Sequence, residues 1–242
     1  MNGSWLNAIL ITGLLALGAS ACRAEQKPEK PGAEFASFVL RDVPKDMEHP
    51  TFIDFGGKVH LVGYDIEPKG VVTPGSKVKL TLFWRSQQRL GPGWSLFTHL
   101  DAPGVPRENL DDDGPLRKLV SGPDGKRRQA LGPSQWEPGR VYVDQLEFEL
   151  PKNVDSPEAT VLAGIWREFE PEPSKSDETK ADDKTTYSGL RLDVLSGPSD
   201  GSQRAVIVHL QTGRDGRSLK AAKAAAPNPQ KRAPGAAEPR KR

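Results

Sequence analysis

The sequence predicts an all-β domain, an antiparallel β-sandwich of about eight strands with a jelly-roll or immunoglobulin-like arrangement. Several segments alternate apolar and polar residues with a period of two, as half-buried strands do. Turn-forming residues separate them, and the 242-residue chain holds 24 glycines and 22 prolines. No segment between them repeats apolar residues at helical spacing. These observations indicate an antiparallel sandwich or barrel, of which we favour the sandwich.

Residues 1–21 are predicted to be a signal peptide of the lipoprotein type. An uncharged apolar run at residues 5–17 precedes small residues and Cys22, the only cysteine of the chain. The run is shorter than the roughly 20 apolar residues that a membrane-spanning helix needs. Residues 19–22, Ala-Ser-Ala-Cys, resemble the bacterial lipobox, which implies cleavage before Cys22 and acylation of its sulfur. The alternatives are an ordinary signal peptide cut nearby, which leaves a free thiol, and a retained anchor.

Residues 22–34 are predicted to form a flexible tether. They mix charges with proline and contain no aromatic or β-branched residue, so they bury too little apolar area to offset the entropy of ordering. Arg23 follows the cysteine, whereas an Asp at that position retains lipoproteins of enteric-type bacteria at the inner membrane. We therefore expect an exported, membrane-anchored protein of the cell envelope, held by an acylated Cys22 and favouring the outer membrane.

The β domain is predicted to span residues 35–213. In residues 77–85 Val78, Leu80, Leu82 and Trp84 share one face of a strand. Further strands are predicted at 58–66, 94–101, 140–150, 159–166, 189–195 and 204–212, with a weaker eighth at 35–41 or 51–55. A disordered loop is predicted at 170–186. The expected core consists of Val78, Leu80, Leu82, Trp84, Leu96, Leu146, Phe148, Leu150, Ile165, Val206 and Val208.

Short motifs in a fixed order carry a resemblance to a known family. "LFWRS", "FTHLD" and "WEPGRVYVDQ" follow one another within residues 59–211. The series resembles the extracytoplasmic C-terminal β-sandwich module of bacterial membrane glycosyltransferases of the dolichyl-phosphate-mannose type, a module that also occurs in stand-alone exported proteins. The resemblance implies the fold and the extracytoplasmic setting. It implies no catalytic residue, because the transferase chemistry resides in membrane-spanning helices that this sequence lacks. Residues 103–132 are longer and more charged than the corresponding segment of the module.

The sequence predicts no enzymatic activity. The histidines at 49, 60, 99 and 209 fall on different predicted elements, and no metalloprotease, nucleophile-elbow or paired-cysteine motif surrounds them. His99, with Asp101 on the same strand, is the best candidate for a catalytic or metal-binding group. We favour the alternative, a strand histidine with a satisfied hydrogen bond.

No cofactor is expected, with calcium as the one alternative weighed. Asp111, Asp112 and Asp113 precede the flexible Gly114. With Asp101 or Asp144 they would supply the oxygen ligands that calcium prefers. The alternative, which we favour, is a solvated acidic turn.

Aromatic residues give the best indication of a binding site. Trp94, Trp136 and Tyr142 fall at predicted strand edges or loops, where rings stack on sugars while nearby polar groups bind hydroxyls. With His99 they form the predicted ligand-binding set. The favoured alternative for each aromatic residue is that it closes one end of the core.

Residues 214–242 are predicted to be a basic disordered tail. They hold nine Lys or Arg residues against Asp215 and Glu238. Such a tail binds anionic envelope polymers or lipid by charge, or it serves only solubility. Nucleic acid is not expected as a partner.

Two functions follow from the sequence. The first is a non-enzymatic envelope lipoprotein whose sandwich binds a glycan or an envelope partner. The second is an auxiliary structural subunit that docks on a membrane glycosyltransferase-like complex and has no ligand of its own. An open aromatic groove would favour the first, and a large flat apolar patch would favour the second.

Overall fold

The computed structural model of the chain describes residues 32–110, 114–122, 125–168, 189–214 and 217–218. Strands dominate these residues, with two short 3-10 helices at Ala33–Phe38 and Pro133–Gln135. Within this part of the chain, no helix has the length and apolar character needed to cross a membrane. The predicted signal segment, Cys22, the tether up to residue 31, Asp111 to Asp113, the loop at 170–186 and the tail after Ser218 lie outside the described residues.

Fifteen strands are described. Their bounds are β1 Val39–Leu40, β2 His49–Phe55, β3 Val59–Glu67, β4 Lys77–Ser86, β5 Trp94–Asp101, β6 Glu108–Asn109, β7 Leu119–Ser121, β8 Arg127–Gln129, β9 Val141–Glu149, β10 Glu158–Glu168, β11 Gly189–Arg191, β12 Val194–Ser196, β13 Ala205–Gln211, β14 Gly213–Arg214 and β15 Arg217–Ser218.

The strands form two main sheets and two small hairpins. The six-stranded sheet has the order β1-β9-β4-β3-β2-β12. The five-stranded sheet places β6 beside β5 and β5 beside β10, while β11 and β13 both pair with the other edge of β10. Pairs β7-β8 and β14-β15 are separate hairpins, and every pairing between these strands is antiparallel. The predicted all-β, antiparallel sandwich is confirmed.

The core lies between the two main sheets, and one apolar cluster draws on both of them. All the predicted core residues from Val78 to Ile165 are buried. Trp84 lies at the centre, where its ring meets Phe55 and Trp136 at centroid distances of 5.4 and 6.4 Å. Because the core is continuous, the two main sheets form one folded unit.

The prediction for β13 is wrong at Val206 and only partly right at Val208. A β-bulge interrupts the pairing of β10 with β13 beside Val161, and Val206 then pairs with Leu162 on the outward face. Ala205 and Ile207 are buried instead, while Val208 is half-buried against the core. The β13 sequence is apolar at odd and even positions alike, so alternation alone did not fix its orientation.

Other boundaries also differ from the predictions. The strand predicted at 189–195 is divided at Leu192 into β11 and β12, which belong to different sheets. Both segments considered for the eighth strand contain strands, namely β1 and β2. Ala33 and Glu34, predicted as tether, begin the first 3-10 helix. Of the predicted tail, Arg214 and β15 pair in a short hairpin.

Part of the outward face of the six-stranded sheet, around Phe83, is covered by residues 38–47, which we term the N-terminal cover. Phe83, Val141 and Val143 form a second apolar cluster on this face. The covering side chains are Phe38, Leu40, Val43 and Met47, joined by Val62 from the sheet itself. This part of the face is therefore shielded from water by the chain's own apolar residues.

Residues 114–122 and 125–132 are fastened to the sandwich by two buried polar side chains. Arg117 is fully buried, and its Nε and Nη2 donate to the carboxylate of Asp144 on β9 at 3.0 and 2.7 Å. Arg117 Nη2 also donates to Thr98 Oγ1 on β5 at 2.8 Å. The Gln129 side chain accepts a bond from Leu96 N and donates to Leu96 O. The Arg117 side chain thus ties one main sheet to the other.

Candidate ligand-binding cleft

Trp136 and Tyr142 belong to the core. Their exposed fractions are 1% and 0%, and their rings stack at 4.5 Å with an interplanar angle of 7°. Trp136 Nε1 donates to Leu131 O at 3.0 Å, and Glu137 N donates to the Tyr142 hydroxyl at 2.7 Å. Burial raises the pKa of Tyr142 to about 12. The structure corrects the predicted role of both rings as sugar platforms, because neither presents a face to solvent.

Trp94 lies at the end of β5 and packs, half-buried, against the edge of the core. The guanidinium carbon of Arg167 lies over its ring, 5.2 Å from the centroid. One face of the indole is therefore taken by a cation, so Trp94 is not an open platform on that side. Trp94 as a ligand platform stays a prediction. His99, the remaining member of the predicted set, lies on the opposite face of β5.

The outward face of the five-stranded sheet carries a second set of aromatic residues. Phe97 pairs with Gly164 across β5 and β10, and His99 pairs with Leu162. A Cβ built on Gly164 would lie 2.5 Å from Phe97 Cζ, so the absence of a side chain there lets the phenyl ring lie flat on the sheet. Trp166, two residues after Gly164, faces the same side. The Phe97 and His99 rings are 5.1 Å apart.

A cleft of about 540 Å³ lies on this outward face, and we term it the outer cleft. Its volume is within the range of pockets that bind small ligands. Leu162 and Val206 form its apolar floor, and the other lining residues include two carboxylates, two hydroxyls and a guanidinium. The full lining is Asp101, Ala102, Pro103, Thr160, Leu162, Asp200, Ser202, Arg204 and Val206.

The loop between β12 and β13 supplies the polar wall of the cleft. Asp200 accepts hydrogen bonds from Ser202 N at 2.8 Å and from Arg204 Nε at 2.6 Å. Burial alone would raise the pKa of Asp200, but these bonds and the Arg204 charge outweigh it and hold the pKa below its ordinary value. Gln203 has a φ of 59° and donates to Asp193 Oδ1 at 2.6 Å. The wall therefore carries an ionised carboxylate held in one orientation.

Two further arginines flank the cleft. Arg107 Nη2 donates to Asp101 Oδ2 at 2.6 Å. Arg191, on β11, donates from Nη1 to Ser202 O at 3.2 Å, and its guanidinium carbon lies 5.1 Å from the centroid of the Phe97 ring. Arg191 is thus fixed by the loop that lines the cleft and by a ring on the same face of the sheet.

His99 is neutral at physiological pH. Burial and, after it, the charges of Arg107, Arg204 and Arg191 lower its pKa to about 4, against the opposing effect of Asp101. Its Nδ1 is buried and has no hydrogen-bond partner among the described residues, so the favoured prediction of a satisfied strand histidine does not hold at that atom. His99 pairs across the sheet with Leu162 of the cleft floor but does not itself line the cleft, and the structure assigns it no chemistry.

Calcium stays a prediction, because Asp111, Asp112 and Asp113 lie outside the described residues. Asp144, considered as their companion ligand, is instead bound by Arg117 and by Trp84 Nε1, which donates at 3.2 Å. In the described part of the chain, no group of three or more His, Cys, Asp or Glu residues is placed to hold a metal ion.

Apart from Asp101, the residues that line the cleft were not singled out as site residues from the sequence, nor were the aromatic residues Phe97 and Trp166 on the same face of the sheet. Phe97 and Trp166 were assigned to strands without a ligand role, and Arg191 and Arg204 were not considered. Alternation outward from the buried Leu96 would have placed Phe97 and His99 on one face. The position of the loop before β13 carries no such signal, because it depends on the bulge and on pairing between distant strands.

Comparison with protein-family models and with curated proteins gives no relative. No model of a protein family matches the chain. The search of curated proteins likewise finds no match. The resemblance to a glycosyltransferase β-sandwich module therefore stays a prediction.

Proposed function

We propose that the protein is a non-enzymatic lipoprotein of the cell envelope whose β-sandwich binds a glycan or envelope partner in the outer cleft. The observation that carries the proposal is the cleft itself, where carboxylates, hydroxyls and a guanidinium surround an apolar floor. Sugars present both C–H faces and hydroxyl groups, and such a lining complements both.

The polar groups of the cleft are held in place before any ligand binds. Asp200 and Arg204 restrain each other, and Asp101 is paired with Arg107. Fixed donors and acceptors lose little conformational entropy on binding, which favours recognition of a specific pattern of hydroxyls. Thr160 lies on β10, at the centre of the sheet, and adds a hydroxyl from a rigid element.

The envelope setting follows from the sequence. We propose that an acylated Cys22 anchors the protein and that the basic residues of 214–242 contact anionic envelope polymers. More than one acyl chain gives stable attachment, since each buried methylene contributes about 0.8 kcal/mol. The outer membrane is the favoured location.

The docking alternative has less support. The large apolar side chains exposed among the described residues belong to four different strands. They are Phe52, Val120, Leu190 and Leu195, of which only those on β2 and β12 lie on neighbouring strands. Apolar residues scattered in this way are ordinary on protein surfaces. Binding in the outer cleft is therefore the better-supported function.

A glycan array of bacterial envelope glycans, probed with the full chain, tests the proposal. Thr160→Trp places a large ring in the cleft, and Thr81→Trp is its matched control, because Thr81 lies on the outward face of central strand β4 in the other sheet. We expect wild type and Thr81→Trp to bind the same glycans, and Thr160→Trp to lose at least tenfold in signal.

Circular dichroism of both variants establishes that they are folded. An array without signal for the wild type would overturn the proposed function. If folded Thr160→Trp binds as well as wild type, the glycan binds outside the cleft.

Mass spectrometry of the mature protein tests the anchor. We expect an N-terminal peptide that begins at Cys22 and carries acyl chains. A different cleavage site or an unmodified thiol would refute the anchor and leave the cleft unaffected.

A further inference from the structure

Arg191 is the arginine beside the outer cleft that has no carboxylate partner. Arg107 is paired with Asp101, and Arg204 is paired with Asp200. Within the described part of the chain, Arg191 makes no ion pair, and its one hydrogen bond goes to the carbonyl oxygen of Ser202. A guanidinium carries five N–H donors, so most of those of Arg191 are available to a ligand.

The geometry points to an acidic glycan as the ligand of the outer cleft, with the guanidinium of Arg191 binding its carboxylate or phosphate group. This inference rests on the proposed function and names the class of glycan. Arg191 is exposed, while Ser202, whose carbonyl it binds, also lines the cleft. Because Arg191 is bonded to a residue of the cleft wall, its guanidinium lies beside the cleft.

The Arg191 side chain is oriented before the ligand arrives. Its guanidinium lies over the Phe97 ring, which itself lies across Gly164. A flexible arginine loses rotamer freedom when it binds an anion, and a side chain already held by a ring and a carbonyl loses less. The planar fork then offers two parallel N–H groups to a carboxylate or phosphate.

The charged groups on and beside the cleft leave one cation without a carboxylate. Arg107 and Arg204 are each paired with an aspartate of the lining. Asp193, beside the same loop, accepts a hydrogen bond from Gln203, so the carboxylates near the cleft equal the arginines in number. Arg191 is the cation among them that has no ionic partner in the described part of the chain. An acidic sugar gains a charge-assisted bond to this guanidinium, whereas a neutral sugar does not.

The test compares acidic glycans with neutral forms of the same glycans. Calorimetric titration of the full chain uses two matched pairs of probes, oligogalacturonate with its methyl ester and phosphomannan with its dephosphorylated form. The protein variants are wild type, Arg191→Gln, Arg191→Lys and, as a control, Arg85→Gln, because Arg85 is exposed on the other sheet. The two pairs distinguish a carboxylate from a phosphate.

We expect the acidic member of at least one pair to bind about tenfold more tightly than its neutral form. Arg191→Gln should lower that preference to the part that the basic residues of 214–242 supply, without changing binding of the neutral form, and Arg85→Gln should leave the preference at its wild-type value. Arg191→Lys keeps the charge but loses the planar fork, so we expect it to recover only part of the preference.

The outcomes separate this inference from the proposed function. Equal binding of acidic and neutral forms, or a preference as strong in Arg191→Gln as in wild type, would overturn the assignment of an acidic ligand and leave glycan binding in place. If neither pair and no glycan on the array binds, the proposed function falls as well. Thermal unfolding of each variant establishes that a lost preference does not reflect a lost fold.

Discussion

The outward faces of the two main sheets are built from similar strands but are shielded in different ways. On the six-stranded sheet the N-terminal cover lays apolar side chains over Phe83 and its neighbours. On the five-stranded sheet Phe97 is shielded by the guanidinium of Arg191, and Leu162 forms the floor of an open cleft. Phe83 and Phe97 are 6% and 3% exposed, so both faces hide a phenylalanine from water.

The difference shows that a buried aromatic residue can lie beneath either of two kinds of cover, one that excludes ligands and one that offers them hydrogen-bond donors. An apolar cover excludes water and offers nothing to a polar ligand. A cover of charged side chains also shields the ring, but it leaves N–H donors at the surface. The same apolar strand chemistry therefore yields a structural face on one sheet and a candidate binding face on the other.

The largest expected effect tests whether the two faces belong to one folded unit. Asp144→Ala leaves the fully buried Arg117 without its counter-charge. We expect a loss of about 3–5 kcal/mol in the free energy of unfolding, measured by urea denaturation, with a single transition for both sheets. The double variant Arg117→Met and Asp144→Leu should recover most of the loss, because no charge is left buried. Two separate transitions in wild type would contradict a shared core.

The next effect concerns the covered face. Phe83→Ala removes the ring on which the N-terminal cover packs, and we expect a loss of about 3 kcal/mol with unchanged glycan binding. Phe52→Ala is the matched control, because Phe52 lies on the same sheet but is 53% exposed; its loss should stay below about 0.5 kcal/mol. Weaker glycan binding in Phe83→Ala would mean that the covered face contributes to the site.

A smaller loss of stability is expected on the open face. Gly164→Ala places a methyl group against Phe97, and the ring must shift together with Arg191. We expect a loss of about 1–3 kcal/mol in stability and a weaker preference for acidic glycans. Gly91→Ala is the control, since a Cβ at Gly91 meets nothing within 4 Å. An unchanged preference in Gly164→Ala would show that the position of Phe97 does not orient Arg191.

The smallest expected effect is a pH dependence of the free energy of unfolding, caused by His99 on the open face. The pKa of His99 falls from 6.5 to about 4 on folding, so the unfolded chain binds the proton more readily between these values. The contribution of His99 to stability is therefore complete above about pH 6.5 and is lost as the pH falls towards 4. Because the ring is only half-buried, the slope should stay below about 1.4 kcal/mol per pH unit.

Urea denaturation of wild type and His99→Gln across this pH range measures that effect. The difference in stability between the two proteins should change between pH 6.5 and 4 and be constant above that range. A difference that does not vary with pH would show that His99 titrates alike in the folded and unfolded chains.

The fold was predictable because most strands carry their orientation in their own sequence. Val78, Leu80 and Leu82 alternate with polar residues, so only one face of β4 can be buried. In β13 the apolar residues occupy both faces, and a bulge decides which of them lies inside. Local alternation thus predicts a strand well wherever its two faces differ in polarity.

The candidate site was only partly predictable, because it depends on contacts between distant segments. Trp136 was selected for its position beside a turn, yet the core is deep enough at that end to enclose it. Arg117 looked like one charge of a polar segment, although it is among the largest fully buried side chains. The outer cleft requires β10, β13 and the loop before β13 to meet, which no single segment specifies.

The bond between Arg117 and Asp144 also constrains how relatives of this chain can diverge. Either residue without the other leaves an unpaired charge in the core. The two residues are therefore expected to be kept together or replaced together. A homologous sandwich that has shed residues 103–132 should therefore carry an uncharged side chain where this chain has Asp144. Covariation of these two positions, sought among sequences of similar domains, would record that constraint.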